Sequence, residues 1–509
     1  MCATNFVHTP PSAPEQPSST FLSAWKIDKA MWLFTCSYSC RCCIAYLGRC
    51  LWLECEQNLL REAWTIAIET LSWMELRRLN ERSALVRTTK QLGISNPQAM
   101  RLAYGLVVET TRRKNLIDKL INTVVAPKKL AEYNQGIQAF LRLYVYQNRV
   151  AKNWGKIHLK EAENIASLGR AILGWEVMRE VEPYLGFLLT RQLAPILDAA
   201  SETERIALET FHPTWFVEYL TKLFGKQEAT AFFKGSLNPP PTYIRINTLA
   251  APEEEIVAKL DAEGVKLEKV EPLKYTYKVL ELKAPLNTSP SLKAGLFYVQ
   301  DKASCFATQA ANPAPNSVVF DICAAPGAKT TFIAQLMGNQ GRIISVDFSA
   351  KRMRTWQKET ARMGTKIAEP VVADARVSVP LVGEADLLVL DPPCTSSGVF
   401  AKQPSAKWRL SPKSIANMSE IQLQMINNCA DKVKAGGFLA YSTCSITLEE
   451  NEGVIEQFLK THPEFRLVEI EPKIGVHGLN GLTQCQRLYP HMHGCNGFFI
   501  AKLQKQQST

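Results

Sequence analysis

Apolar positions follow three successive patterns along the chain. Leu59, Ala63, Ile66, Ala67 and Leu71 recur at three- and four-residue steps, which predicts an amphipathic helix. Asn96-Pro97 starts another, because proline is tolerated in a first turn. Ala103, Leu106, Val107, Thr110 and Thr111 share its inner face, and Ile117, Leu120 and Ile121 supply the next helix. The spacing continues through 136–150 and 161–178, so 57–200 reads as all-helical. Residues 203–300 differ. Two short helices over 203–235 carry Phe211, Trp215, Phe216, Tyr219 and Leu220 as core candidates. The three prolines of "NPPPTYIRINTL" then break helix before a strand, the helix "PEEEIVAKLDAEGV" and a second strand, "YTYKVLEL". That is a small α+β module. Over 301–504 the strands "SVVFDI", "GRIISVD", "PVVADAR", "ADLLVLD", "GGFLAYSTC", "FRLVEI" and "GFFIAKL" alternate with helical segments. Such alternation predicts an α/β fold with a doubly wound, mostly parallel seven-stranded sheet, which binds ligands at the carboxyl ends of its strands.

Charge sharpens the picture. Lys and Arg number 59 against 48 Asp and Glu, a balance of +11. Residues 57–200 hold 21 of the basic residues and 13 of the acidic ones, an excess of 8 that fits a polyanionic partner. Arg112, Arg113, Lys114, Lys128 and Lys129 could grip phosphates or simply form a solvated helix surface. The cysteines divide seven to residues 1–55 and seven to the rest, which is no secreted disulfide framework. An enzyme of the cytoplasm is expected, monomeric and without metal. Residues 1–56 read as a leader with no fold of its own. Arg41 and Arg49 interrupt any membrane span in it, and Cys36, Cys40 and Cys43 lack the paired spacing of a metal site.

The strand ends carry the chemistry. "SVVFDICAAPGAKTTFIAQLM" is a strand, a loop of small residues and a helix, so a ligand can approach the backbone at Ala324, Ala325, Gly327 and Ala328. Asp347 ends the next strand 20 residues past Gly327, where nucleotide-binding α/β folds place a carboxylate on ribose hydroxyls. Asp321, Asp374, Asp391, Cys394 and Cys444 also fall at strand ends. The loop lacks GxGxxG, which disfavours a dehydrogenase, and no glycine stands six positions before Lys329, which disfavours a P-loop. S-adenosylmethionine, a nucleoside cofactor that needs no phosphate cradle, fits. In amino-methylating enzymes an aromatic residue closes an Asp/Asn-Pro-Pro loop; here "DPPC" ends in a thiol, and Cys444 ends a neighbouring strand. Two thiols facing a methyl donor suggest nucleophilic addition to a ring.

In order, "PPTYIRINTL", "FYVQDKAS", "DICAAPGAKT", "DPPCTSSG", "YSTCS" and "RLYPHMHGCNGFFIAKL" resemble the RsmB/NSUN family of S-adenosylmethionine-dependent RNA cytosine-C5 methyltransferases over 203–504. Ala328 and Asn496 depart from it, where Gly and Asp are common. "NPQAMRLAYGLVVETTRRKNLIDKLI" is similar to a NusB-like RNA-binding domain. The resemblance implies a Rossmann-like class I methyltransferase domain, acting on ribosomal or transfer RNA. It implies that Cys323, Ala324, Ala325, Pro326, Gly327, Ala328, Lys329, Asp347, Asp374 and Asp391 line the cofactor, with Arg352 beside them. It further implies that Cys444 attacks the base and Cys394 assists release; by their own chemistry Asp391 and Lys329 can position the ring and counter charge developing on it. Two rivals are an amino-methylating enzyme, which needs no Cys444, and an assembly factor with a dead catalytic half. His491 and His493 are read as shaping the pocket mouth, and Cys305, Cys429, Cys485 and Cys495 as packing residues. Trp408 either stacks on RNA or closes the core. Arg245 and Asn247, on the first strand of the α+β module, either face nucleic acid or are surface polar residues.

Overall fold

The computed structural model describes residues 41–153, 155 and 157–507, with side chains from residue 58 onward. Residues 1–40, most of the expected leader, lie outside them. One helix runs Arg41–Arg77, across the position expected for the leader boundary at 56. Nothing in that stretch stops a helix except Gly48, which costs only about 1 kcal/mol. Among the described residues no helix is long and apolar enough to cross a membrane.

The predicted helical faces meet in one core. Ala63, Trp64, Ile66 and Ala67 pack with Ala103, Leu106, Val107, Ile117, Leu120 and Ile121, and helix Gln135–Val145 adds Phe140 and Leu141. Asn80, Asn96 and Asn134 each cap a helix by accepting backbone N–H bonds. The basic residues are paired within the fold, with Arg112 buried and Arg113, Lys114 and Lys128 partly exposed. Arg112 and Arg113 bond Glu109, Lys114 reaches Glu75 at 2.5 Å, and Lys128 pairs with Glu180. The Arg112–Lys114 turn stands where the helical half meets the rest of the chain. Asn115 Nδ2 donates to the Ala207 and His212 carbonyls at 2.7 and 3.1 Å, and the buried Glu81 carboxylate accepts from the Ser405 N–H and hydroxyl at 2.6 and 2.8 Å. Trp408, read as an RNA stacker or a core residue, donates its indole N–H to the Thr111 carbonyl at 2.6 Å. Ser405 and Trp408 belong to the segment that follows Cys394, so the helical half braces that segment.

Four antiparallel strands form the α+β module: β1 Tyr243–Ile246, β2 Val265–Lys269, β3 Thr276–Leu282 and β4 Phe297–Val299, in the order β2-β3-β1-β4. Two of them escape the sequence pattern, since β2 is largely charged and β4 has three residues. Arg245 and Asn247 are not surface residues. Arg245 is fully buried and donates to Gln300, Gln335 and Thr331, and Asn247 Nδ2 donates to the Gly295 and Met363 carbonyls. Both therefore hold the module against the domain that follows.

That domain is a nine-stranded sheet rather than the expected seven. Its strands are β5 Val318–Ile322, β6 Arg342–Asp347, β7 Ala368–Val372, β8 Ala385–Leu390, β9 Val433–Thr443, β10 Phe465–Leu467, β11 Val476–His477, β12 Gln486–Leu488 and β13 Phe498–Lys505. β7-β6-β5-β8-β9 are parallel, whereas β10, β11, β12 and β13 pair antiparallel at one side. The missed strands, β11 and β12, have two and three residues, too few to show alternation. Phe320, Ile322, Leu388, Leu390, Leu439 and Tyr441 fill one face of the sheet, and Val319, Leu387, Val389 and Ala440 the other. The chain leaves β5 outward to β6 and β7, then returns to β8 on the opposite side. That reversal opens a crevice at the carboxyl ends of β5 and β8.

Candidate active site

The loop after β5 turns sharply because its residues permit it. Cys323 has φ +69°, and Gly327 has φ +111°, a conformation L side chains rarely adopt. A Cβ on Gly327 would also lie 3.2 Å from the Trp356 ring. Helix Ala328–Leu336 starts immediately after it. The Cys323 and Ala324 N–H groups bond the Val346 carbonyl at 2.8 and 3.0 Å, which draws the loop onto the end of β6. There Asp347, 2% exposed, accepts from the Ala325 N–H at 3.3 Å and the Ser349 N–H at 3.0 Å, with Arg352 Nη1 at 3.2 Å. Arg352 also bonds the Ala325 carbonyl. The loop and its carboxylate are thus one unit, with Ala324 and Ala325 packed against Met353 and Trp356.

Asp374 is less closely joined. β7 ends at Val372, two residues earlier than the sequence pattern suggests, and its last ladder bond runs from the Ala373 N–H to the Asp347 carbonyl at 3.2 Å. The Asp374 carboxylate meets Arg376 at 2.6 Å, and the guanidinium hydrogen bonds hold it below the usual carboxylate range. Asp321, also read as a strand-end carboxylate, lies inside the fold. It accepts from Thr330 at 2.5 Å, Thr330 accepts from the Trp356 indole at 2.9 Å, and burial pushes Asp321 up to about 6. It braces the start of the helix.

The second cluster joins β8, β9 and the loop before β13. Asp391 Oδ2 accepts from Lys329 Nζ at 2.5 Å, and its Oδ1 from Ser442 at 3.3 Å. Lys329 is buried under the Phe498 ring, 5.6 Å from its centroid. Beyond Asp391, Cys394 Sγ lies 3.2 Å from Cys444 Sγ, and Ser396 Oγ is 3.6 Å from Cys444. Either sulfur can donate across that distance, so the surroundings decide the proton. The bond from Cys394 favours a Cys444 thiolate, burial and Asp391 oppose it, and Ser396 and Lys329 assist; on balance Cys444 lies below the ordinary thiol range. That bond, burial, and the charges of Cys444 and Glu450 hold Cys394 well above it. The Gly398 N–H bonds the Cys444 carbonyl at 2.9 Å, and a Cβ on Gly398 would sit 2.1 Å from the Gly497 oxygen. Only glycine lets these loops approach so closely.

Sequence reasoning missed the residues that hold this second cluster. Glu450, Asn451 and Glu452 are fully buried. Thr443 donates to Asn451 at 2.6 Å, and Asn451 donates to the Ser445 carbonyl at 3.0 Å. Three polar residues opening helix Glu452–Thr461 look like ordinary capping chemistry, and no local spacing marks them as internal. His491 and His493 do not meet the thiols: His491 faces Glu228 and His493 bonds the Tyr489 backbone. Among the described residues no cluster of His, Cys, Asp or Glu could hold a metal.

Asp347→Ala is expected to weaken cofactor binding by about 1.5–3 kcal/mol, the worth of a hydrogen bond to a charged group. Calorimetry with S-adenosylmethionine reads this, and unchanged affinity would remove Asp347 from the site.

The family described as 16S rRNA methyltransferase RsmB/F matches residues 308–504, and its ferredoxin-like domain matches 212–288. A probable ribosomal RNA small subunit methyltransferase B of Bacillus subtilis is 29% identical over 87% of this chain and 98% of its own length. The solved structure of PH0851 superposes with a TM-score of 0.74 at 30% identity, covering 87% of this chain and 99% of that one. NSun6 from Pyrococcus horikoshii, solved with the S-adenosylmethionine analogue SFG, gives 0.54 at 28% identity over 58% and 99%. With its paired thiols beside a loop of small residues, this chain belongs to the RsmB/F family and is an S-adenosylmethionine-dependent RNA cytosine-C5 methyltransferase.

Proposed function

We propose that the chain methylates a cytosine of small-subunit ribosomal RNA through a covalent bond between Cys444 and C6 of the base. The observation that carries the covalent reading is the 3.2 Å thiol pair beside the Lys329–Asp391 bridge. The likeness to the Bacillus protein over nearly its whole length supports the target. Small residues at 324, 325, 327 and 328, and the buried carboxylate of Asp347, suit S-adenosylmethionine. It supplies an electrophilic methyl group on sulfonium.

Cytosine C5 is too poor a nucleophile to take that methyl directly. Cys444 as thiolate adds at C6 and makes C5 enamine-like; C5 then accepts the methyl, loses its proton to a base, and the C6–S bond breaks to return the thiolate. Lys329 and Asp391 counter charge developing on the ring and orient it, and Cys394 assists release. Arg352 sits against Asp347 and is assigned to the rim of the cofactor site, as is Asp374. The helical half, read as NusB-like, faces RNA with the cations that its internal pairs leave exposed. We place the protein in the cytoplasm, because two thiols this close would oxidise in a disulfide-forming compartment.

Incubating the protein with labelled S-adenosylmethionine and separated ribosomal and transfer RNA, followed by bisulfite sequencing, tests the target. Label confined to transfer RNA would overturn it. A second expected outcome concerns pH. Lys329 favours the Cys444 thiolate, so Lys329→Met should raise the pKa of that thiol. The acid limb of kcat/KM then moves to higher pH; an unmoved limb would separate Lys329 from the nucleophile.

A further inference from the structure

Glu450 performs no step of the reaction derived above, yet it is fully buried, makes no ion pair among the described residues and bears by its charge on Cys394. Its Oε1 accepts from the Thr395 N–H at 2.8 Å and Gln422 Nε2 at 3.0 Å. Its Oε2 accepts from the hydroxyls of Thr395 at 2.5 Å, Ser445 at 2.6 Å and Thr447 at 2.8 Å. Thr395 follows Cys394 in the chain and Ser445 follows Cys444. One carboxylate therefore ties the residue after each thiol, and Gln422 extends the tie by donating also to the Pro393 carbonyl at 2.9 Å. Five neutral donors satisfy the oxygens without cancelling the charge. In a buried setting that charge acts over the nearby sulfurs with little screening.

The charges around the pair are unequal. Cys394 faces Cys444 and Glu450. Cys444 faces Cys394, Asp391 and Lys329, with the Ser396 hydroxyl as a further donor. On the Cys444 side the charge of Asp391 is opposed by Lys329, while Glu450, which makes no ion pair among the described residues, acts on the Cys394 side.

We propose that Glu450 is the positioning residue that assigns the nucleophile: it fixes the two cysteine loops to each other and, by its charge, keeps the pair's proton on Cys394 so that the thiolate resides on Cys444. The inference rests on the covalent reading above, but its test does not depend on methyl transfer. Glu450→Gln isolates the charge. The amide oxygen can take the Oε1 place against Thr395 N–H and Gln422, while the amide NH2 meets three hydroxyls that can rotate to accept. Geometry is kept and charge is removed.

The full-length protein is treated at neutral pH with limiting iodoacetamide, and the peptides carrying Cys394 and Cys444 are quantified. In wild type the Cys444 peptide should dominate, because the thiolate is the species that reacts. In Glu450→Gln the Cys444-to-Cys394 ratio should fall about tenfold, the equivalent of one pKa unit, with a melting curve like wild type. Glu450→Asp retains the charge on a shorter arm, and should keep the labelling preference while lowering kcat. A folded Glu450→Gln protein with the wild-type ratio overturns the proposal, as does equal labelling of the two sulfurs in wild type. A purely structural Glu450 would lower activity and leave the ratio unmoved. Methylation that survives Cys444→Ala would sink the covalent reading itself, independently of the labelling ratio.

Discussion

Cys444→Ala is expected to lose methyl transfer and RNA adduct together, whereas Cys394→Ala should accumulate an adduct that survives denaturing gels and already carries the methyl group. The two sulfurs are 3.2 Å apart, at the ends of the adjacent strands β8 and β9, so position alone does not rank them. Their surroundings do. Lys329 and Ser396 stand by Cys444, and Cys394 has Glu450 behind it. Without Cys444 no C6–S bond forms, C5 stays a poor nucleophile, and the rate should fall by at least about 10³-fold if the covalent step supplies even half of a modest, roughly 10⁶-fold, enzymatic acceleration. Without Cys394 the bond forms and methyl moves, but breakdown stalls. Gel electrophoresis after incubation with RNA and labelled S-adenosylmethionine distinguishes the cases. A trapped adduct from Cys444→Ala with a silent Cys394→Ala reverses the assignment; two silent variants remove the covalent mechanism.

How far the sequence foretold this site depends on the length scale of each signal. β5, β6, β8 and β9 are apolar runs ended by Asp or Cys, so their ends, and with them Asp347, Asp391, Cys394 and Cys444, could be placed by reading along the chain. The loop 323–328 was equally legible, because Gly327, at φ +111°, answers to a local backbone need. What stayed hidden depends on partners distant in sequence. Arg245 looks like any strand cation until Gln335 and Thr331, about ninety residues on, enclose it. The cluster Arg112–Lys114 looks like a phosphate grip until Glu75 and Glu109 appear beside it. Glu450, Asn451 and Glu452 resemble a solvated helix start, although the nine-stranded sheet buries them. A charge pattern records composition; whether a partner already neutralises it is decided by the fold.

Breaking the Glu452–Arg487 pair should be the most destabilising single change in the catalytic half. Glu452 is 0% exposed and Arg487 1%, with Arg487 Nε 2.6 Å from Glu452 Oε1 and a second bond from its other arm. Arg487 also donates to the Ile446 carbonyl at 2.9 Å, and Glu452 accepts from the Leu479 N–H at 2.8 Å. Removing one partner leaves the other charge buried, which costs about 3–5 kcal/mol. Arg487→Met leaves Glu452 in that position and frees the loop after Cys444, so stability and activity should fall together. For a domain of this size the melting temperature should drop on the order of 10 °C. Glu452→Gln should cost less, because the amide oxygen can still accept from Arg487 or Leu479. The double variant should recover part of the loss, since a neutral pair of similar volume is easier to bury than one orphaned ion. Calorimetric melting of wild type, both singles and the double provides the cycle. A loss below about 1 kcal/mol in Arg487→Met, the range of exposed pairs, would show that water reaches Glu452 and that the pair does not hold the Cys444 loop.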